Sequence, residues 1–159
     1  MKNGVLNVYT DANIRRAEMK KVYVTLKEIN SVSTSSAGDI IGMTAIETDD
    51  LRISASSAGD IKLEVYARRI DTNISSSGDI TLDGEAEVLE ADLSSAGDLN
   101  AYNLRVKEAD VSVSSAGGAD IYVTEKLVAR ASSAGNINYK GNPENVNVHT
   151  SSAGSIRRR

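Results

Sequence analysis

The chain has 159 residues, a formal net charge of −4, no cysteine, and six tyrosines as its only aromatics among 40% apolar residues. That is enough chain for one domain with a core, and the missing cysteines exclude a disulfide framework and thiol chemistry. Both signs of charge are spread along the chain, so no basic face accumulates and nucleic acid is not expected as a partner.

Residues 1–30 are the least regular part. Val5-Leu6-Asn7-Val8-Tyr9 and Val22-Tyr23-Val24-Thr25-Leu26 read as strands. Between them Asp11 to Lys21, with Arg15, Arg16, Lys20 and Lys21, reads as a polar loop or one short helical turn. Gly4 to Thr10 already reads as a strand inside a sheet, as expected of a piece of something longer. Residues 1–25 lack the apolar core of a signal peptide, and no apolar run approaches membrane-spanning length.

From residue 31 one motif returns. Ser35-Ser36-Ala37-Gly38-Asp39-Ile40 is the first of seven copies, which end at Ser151-Ser152-Ala153-Gly154-Ser155-Ile156. Their glycines are Gly38, Gly59, Gly78, Gly97, Gly117, Gly135 and Gly154, spaced 21, 19, 19, 20, 18 and 19 residues apart. A fixed period near twenty indicates a solenoid in which each repeat is one coil stacked on the next. Counted back from each glycine, the even positions are apolar or small. Leu51, Ile70, Leu89, Ala109 and Leu127 share one column, and Ala55, Ile74, Leu93, Val113 and Ala131 another. The odd positions are polar: Ser33, Ser54, Asn73, Asp92, Ser112, Arg130 and His149 stand five before the glycine. Alternation of period two means a strand with one buried face.

A second, short strand follows each glycine, with Ile40, Ile61 and Leu63, Ile80 and Leu82, Leu99, Ile121 and Val123, and Ile137 pointing inward. The predicted fold is all-β: a single-stranded parallel β-helix of about seven coils of 18–21 residues. Each coil is a long strand, a Ser-Ser-Ala-Gly corner, a short strand and a looser return loop, as at Glu47 to Asp50, Gly84 to Glu87 and Gly141 to Asn145. The glycine is expected to take positive φ at the corner, and the serine two before it to form an inward hydroxyl ladder. The whole chain reads as one domain, with irregular strands over 1–30, repeats over 31–156 and a basic tail, Arg157-Arg158-Arg159.

The repeated Ser-x-Ala-Gly-Asp-Ile corner, the opening Gly4-Val5-Leu6-Asn7-Val8-Tyr9-Thr10, the Lys21-Val22-Tyr23-Val24-Thr25 strand and the final Tyr139-Lys140-Gly141-Asn142-Pro143 together resemble one family. It is the head GIN domain of auto-transporter adhesins, a domain of unknown function in envelope proteins of Bacteroidetes. The resemblance covers essentially the whole chain. It implies a right-handed single-stranded β-helix in the cell envelope or outside the cell, and it supplies no ligand and no catalytic residue. The family's corner usually reads Ser-Gly-Ala-Ser/Gly-Asp; here serine stands in place of that first glycine in every copy.

The Asp column after the glycine is the main polar feature: Asp39, Asp60, Asp79, Asp98 and, beyond two extra residues in the fifth copy, Asp120. At roughly 4.8 Å between coils these carboxylates repel unless hydrated, hydrogen-bonded or bridged. Turn chemistry, in which Asp accepts backbone N–H groups, is the first reading. A Ca²⁺-bridged ladder is the second, weakened because one Asp per coil supplies few of the six or more oxygens needed. No metal site and no other cofactor is expected.

For catalysis, Asp49 with Asp50, or Glu85, Glu87 and Glu90, are the available carboxylates, and His149 is the only histidine, in an outward column. Charged loops of this kind are ordinarily solvated surface, so no catalytic residue is assigned. The outward Ser35, Ser56, Ser75, Ser94, Ser114, Ser132 and Ser151 make a single small-residue column, narrower than an ice-binding face needs. The reading is a non-catalytic envelope or surface module that binds a glycan or a matrix or cell-surface protein along its return loops or its Tyr66, Tyr102, Tyr122 and Tyr139 faces. The alternatives are a self-associating structural scaffold and, behind it, a polysaccharide-active enzyme.

Overall fold

The computed structural model describes residues 4–9 and 20–159. Ten strands run in chain order, with no helix among the described residues: β1 (Ser31–Thr34), β2 (Ile40–Ile41), β3 (Ile46–Ser57), β4 (Ile61–Ser76), β5 (Ile80–Leu93), β6 (Asp98–Val113), β7 (Gly118–Ala131), β8 (Asn136–Lys140), β9 (Asn145–Thr150) and β10 (Ser155–Arg158). All pair in parallel, each with the strand one coil away, in the order β1-β3-β4-β5-β6-β7-β8-β10, with β2 on β4 and β9 on β7. This is the predicted β-solenoid of about seven turns.

The repeat columns become registers. Leu51 pairs Ile70, Ile70 pairs Leu89, Leu89 pairs Ala109 and Ala109 pairs Leu127. All five are buried. Fully burying an Ile or Leu side chain is worth about 1.5–3 kcal/mol, and each central coil buries several. The inward residues after the corner behave as the alternation requires: Ile61, Leu63, Ile80, Leu82, Leu99, Ile121, Val123 and Ile137 are buried, while Ile40 in the first coil is half-buried.

Four sequence-level expectations are corrected. First, the return loop is absent in the central coils. β4 to β7 run from one corner to the next in 14 to 16 residues without a break, so Gly84 to Glu87 lies inside β5. Bends are absorbed by register shifts between Thr81 and Asp83, Ala101 and Arg105, and Val106 and Glu108. A parallel neighbour above and below satisfies every main-chain group, which favours strand over loop wherever the sequence permits. Only the first and last coils open, before Ile46 and over residues 141–144.

Second, none of the seven corner glycines has positive φ. The serine two before each one does: Ser36, Ser57, Ser76, Ser95, Ser115, Ser133 and Ser152 lie at φ between 47° and 73°. These are the positions where the family pattern carries glycine. Third, those serines are exposed rather than inward, because a left-handed residue turns its side chain out of the alternation. Their carbonyls do the work instead: those of Ser36, Ser57 and Ser76 accept the N–H groups of Ala58, Ser77 and Ala96 at 2.8–2.9 Å. The last two corners tighten further. Ala134 and Ala153 also take positive φ, and Gly135 and Gly154 donate back to Ser132 and Ser151 at 2.9 Å, the geometry of a type I′ turn.

From Gly59 onward the corner glycines are required by space. A β-carbon on Gly78 would stand 2.9 Å from the carbonyl oxygen of Gly59. On Gly97 it would stand 2.6 Å from that of Gly78 and 2.3 Å from Ile74 Cγ2, and on Gly117 2.7 Å from that of Gly97. Gly84 (φ 118°) and Gly141 (φ 105°) are needed for both reasons, since a β-carbon there would fall 2.1 Å and 1.9 Å from the carbonyls of Val65 and Val123.

Fourth, the strands expected over 5–9 and 22–26 do not form. Val5 makes a single bridge, and residues 6–9 and 21–26 have no regular structure and are exposed. A strand needs hydrogen-bonded neighbours along its length, and beyond the Val5 bridge these segments have none among the described residues. The loop or turn expected over Asp11 to Lys21 lies outside the described residues up to residue 19; Lys20 and Lys21 are exposed.

Gly97→Ala is expected to cost about 3 kcal/mol, the upper end for overpacking. Gly38→Ala should cost under about 1 kcal/mol, because its β-carbon meets nothing closer than Thr34 Oγ1 at 3.2 Å. Ser95→Gly should add about 0.5 kcal/mol, as relief of left-handed strain (about 1–2 kcal/mol) exceeds the entropy cost of glycine (about 0.5–1 kcal/mol). Urea midpoints at unchanged m-values read all three; equal losses at positions 97 and 38 would refute the stacking explanation.

Candidate functional site

A solenoid presents its outward columns as rows, and three rows bear on function. The first is the Asp column. Asp79 Oδ1 accepts the Asp98 N–H at 3.2 Å, and the main-chain carbonyls of Asp60 and Asp79 accept from Ile40 and Ile61 at 2.8 and 2.9 Å. These contacts tie corner to corner. Asp120 does not belong to the row. Asp98 pairs Gly118, Gly118 pairs Asn136, and Asn136 pairs Ser155. The fifth copy holds no insertion: Gly118 fills the Asp slot and Ala119 the inward slot beside Leu99 and Ile137, so Asp120 falls two residues further on, between Asn100 and Asn138. Among the described residues no three His, Cys, Asp or Glu side chains are placed together to hold a metal ion.

The carboxyl of Asp98 is pushed above the ordinary aspartate range, first by partial burial and then by the charge of Asp79, against a hydrogen bond from the Gly118 backbone. The folded chain therefore keeps a proton at pH values where the unfolded chain has lost it. Stability falls as pH rises from the ordinary aspartate range through the raised value. Asp98→Asn removes that fall. Its urea midpoint, relative to the parent chain, should rise across this window and stay constant above it; a pH-independent difference would remove Asp98 as the cause.

The second feature is the charges, which occupy several outward rows. Among the described residues seven ion pairs join adjacent coils: Arg52–Asp71, Arg68–Asp50, Arg69–Glu90, Arg105–Glu85, Lys107–Glu87, Lys126–Glu108 and Arg130–Asp110. Every carboxylate weighed for catalysis except Asp49 is in this set. Lys107, at 2.9 Å, holds Glu87 below the usual carboxylate range, the opposite of what a general acid needs. His149 is exposed on β9, in register with Arg130.

The third row is a groove. Ser54, Asn73, Asp92, Ser112 and Arg130 stand in one register line, five before the glycines. Ser75, Ser94, Ser114 and Ser132, three before, form the other wall. They enclose about 360 Å³. Its floor is main chain, because Ile74, Leu93 and Val113 are each 2% exposed and point inward. Ser94 and Ser114 reach back to the carbonyls of Ile74 and Leu93 at 3.4 and 3.3 Å, and Arg130 is steadied by Asp110 at 2.7 Å. The polar column was legible in the sequence; the concavity was not. Its signal is two neighbouring outward columns that are both short.

The tyrosines do not share one face. Tyr66 is exposed and donates to Glu64 at 3.1 Å. Tyr139 packs against the core. Tyr102 and Tyr122 lie together under Lys140, whose Nζ sits 5.4 and 4.8 Å from their ring centres.

The profile of the family described as "Putative auto-transporter adhesin, head GIN domain" matches residues 1–143. Crystal structures of a "putative adhesin" from Bacteroides fragilis (TM-score 0.72, 24% identity, 82% of this chain and 60% of that one) and from Parabacteroides merdae (0.67, 23%, 82% and 63%) share the fold. So does a "putative lipid binding protein" from Parabacteroides distasonis (0.70, 22%, 84% and 63%). This chain spans about three fifths of the length of these structures. No curated protein matches it.

Proposed function

The chain belongs to the auto-transporter adhesin head GIN domain family, and from that premise we propose that it is a non-catalytic binding module of the cell surface or envelope whose ligand is a glycan strand laid along the groove. The carrying observation is the chemistry of that groove: a serine hydroxyl in every coil, joined by one amide (Asn73) and one charge of each sign (Asp92 and Arg130), on a main-chain floor. A polar polymer meets hydrogen-bond partners at every coil there. The lining argues against a lipid, the ligand class named for one structural relative, because no apolar side chain faces the groove. It argues against hydrolysis too, since glycosidases use two carboxylates and Asp92 is the only one in the lining.

Co-sedimentation with chitin, cellulose and insoluble peptidoglycan, with reducing sugar assayed in the supernatant, tests this reading. Retention on at least one polymer without sugar release is expected. Ser94→Trp, which fills the groove from an exposed position, should reduce retention at least about fivefold, roughly 1 kcal/mol, with an unchanged melting temperature. Released sugar, or full retention of the tryptophan variant, would defeat it.

A further inference from the structure

The register brings together residues that are far apart in sequence. Asn100 pairs Asp120, Asp120 pairs Asn138, and Asn138 pairs Arg157. Two residues further along the same outward side, Tyr122 pairs Lys140, and Arg159 binds by its N–H to the Tyr139 carbonyl at 2.9 Å. One face of the last three coils thus gathers two tyrosines, two amides, one carboxylate and three cations. Residues 136–159 hold four cations against one carboxylate, in a chain whose net charge is −4. Among the described residues no carboxylate is ion-paired to Lys140, Arg157 or Arg159, whereas seven basic side chains on the rest of the solenoid are paired.

The inner parts of this face are arranged. Asn138 Nδ2 donates to Asp120 Oδ1 at 2.8 Å, which occupies that carboxylate. Lys140 stands over both tyrosine rings, which fixes its ammonium at the surface by cation–π attraction. The Tyr102 hydroxyl is shut off from solvent, and its pKa is raised first by that burial and then by the charge of Asp120, against the Arg159 guanidinium beside it.

We infer that this face is a second binding site, separate from the groove, and that it takes an acidic saccharide whose carboxylate or sulfate is held by Lys140, Arg157 and Arg159 while its sugar ring lies against the Tyr122 side of the tyrosine pair. Arginine matches planar oxyanions with paired N–H groups. Tyrosine offers an apolar face to a ring and a polar rim to its hydroxyls. Cations alone would serve any polyanion; the tyrosines beside them select a sugar.

Calorimetric titration of the full chain with polygalacturonate, dextran sulfate, neutral dextran and poly-glutamate tests the assignment. Binding of polygalacturonate, dextran sulfate or both is expected, and which one binds identifies the anion. Neutral dextran should not bind, and affinity should fall with salt. Lys140→Gln and the double variant Arg157→Gln/Arg159→Gln should each lose about tenfold, the worth of one charge-assisted contact, while Lys62→Gln, an exposed cation on β4 outside both sites, loses nothing. Tyr122→Leu should lose affinity for the polysaccharide more than salt dependence. Should Lys140→Gln fail to fold, the arginine pair, on an exposed strand end, decides. Poly-glutamate binding as tightly as polygalacturonate would overturn the saccharide assignment. Unchanged affinity in the arginine variant, or an equal loss in Lys62→Gln, would overturn the site.

Discussion

At each central corner the carbonyl oxygen of one glycine lies only 2.6–2.9 Å from where a β-carbon on the next coil's glycine would stand. That contact fixes how closely the coils approach and where each begins. With corners held 18 to 21 residues apart, every other residue is assigned to a row, inward or outward, by the period-two pleat. The left-handed serines serve the same end. They turn the chain and aim a carbonyl at the neighbouring corner, so the corner is held by the coil stack and not by a free-standing turn.

The functional surfaces follow from this stacking. In a parallel solenoid the same outward position recurs at about strand spacing, so a side chain is read against its equivalents one coil away. Carboxylates meet cations across neighbouring outward rows, and the exposed pairs there contribute little stability each while keeping like charges from stacking. Hydroxyls and amides meet along another, where their shortness leaves the groove. The end coils depart from the pattern. Val146 and Val148 occupy inward columns yet are 46% and 47% exposed, since β9 pairs only with β7 among the described strands.

Much of this was legible in the sequence for simple reasons. The column Leu51, Ile70, Leu89, Leu127 is apolar at a fixed distance from each glycine, and burial followed. Other features were hidden. Serine is common both at turns and in hydroxyl ladders, so nothing in Ser36 or Ser95 announced positive φ except the glycine that the family pattern carries there. Gly117-Gly118 concealed the register, since either glycine can head the copy; only Ala119 beside Leu99 and Ile137 shows which does. Val5 to Tyr9 and Val22 to Leu26 have strand-like sequences without a partner strand among the described residues, and propensity alone does not make a strand. Tyr102, Lys140 and Arg159 span 58 positions, and only the stacking of three coils joins them.

The central claim is that coil-to-coil contact at the corners holds the solenoid in register. Amide hydrogen exchange tests it most directly. The account predicts slow exchange at Ser77, Ala96 and Ile61, whose N–H groups bond across coils, approaching that of the core strands and falling toward the two end coils. Exchange at Ser77 and Ala96 as fast as at an exposed loop, with β4 to β6 still protected, would show corners that are free turns and would contradict it.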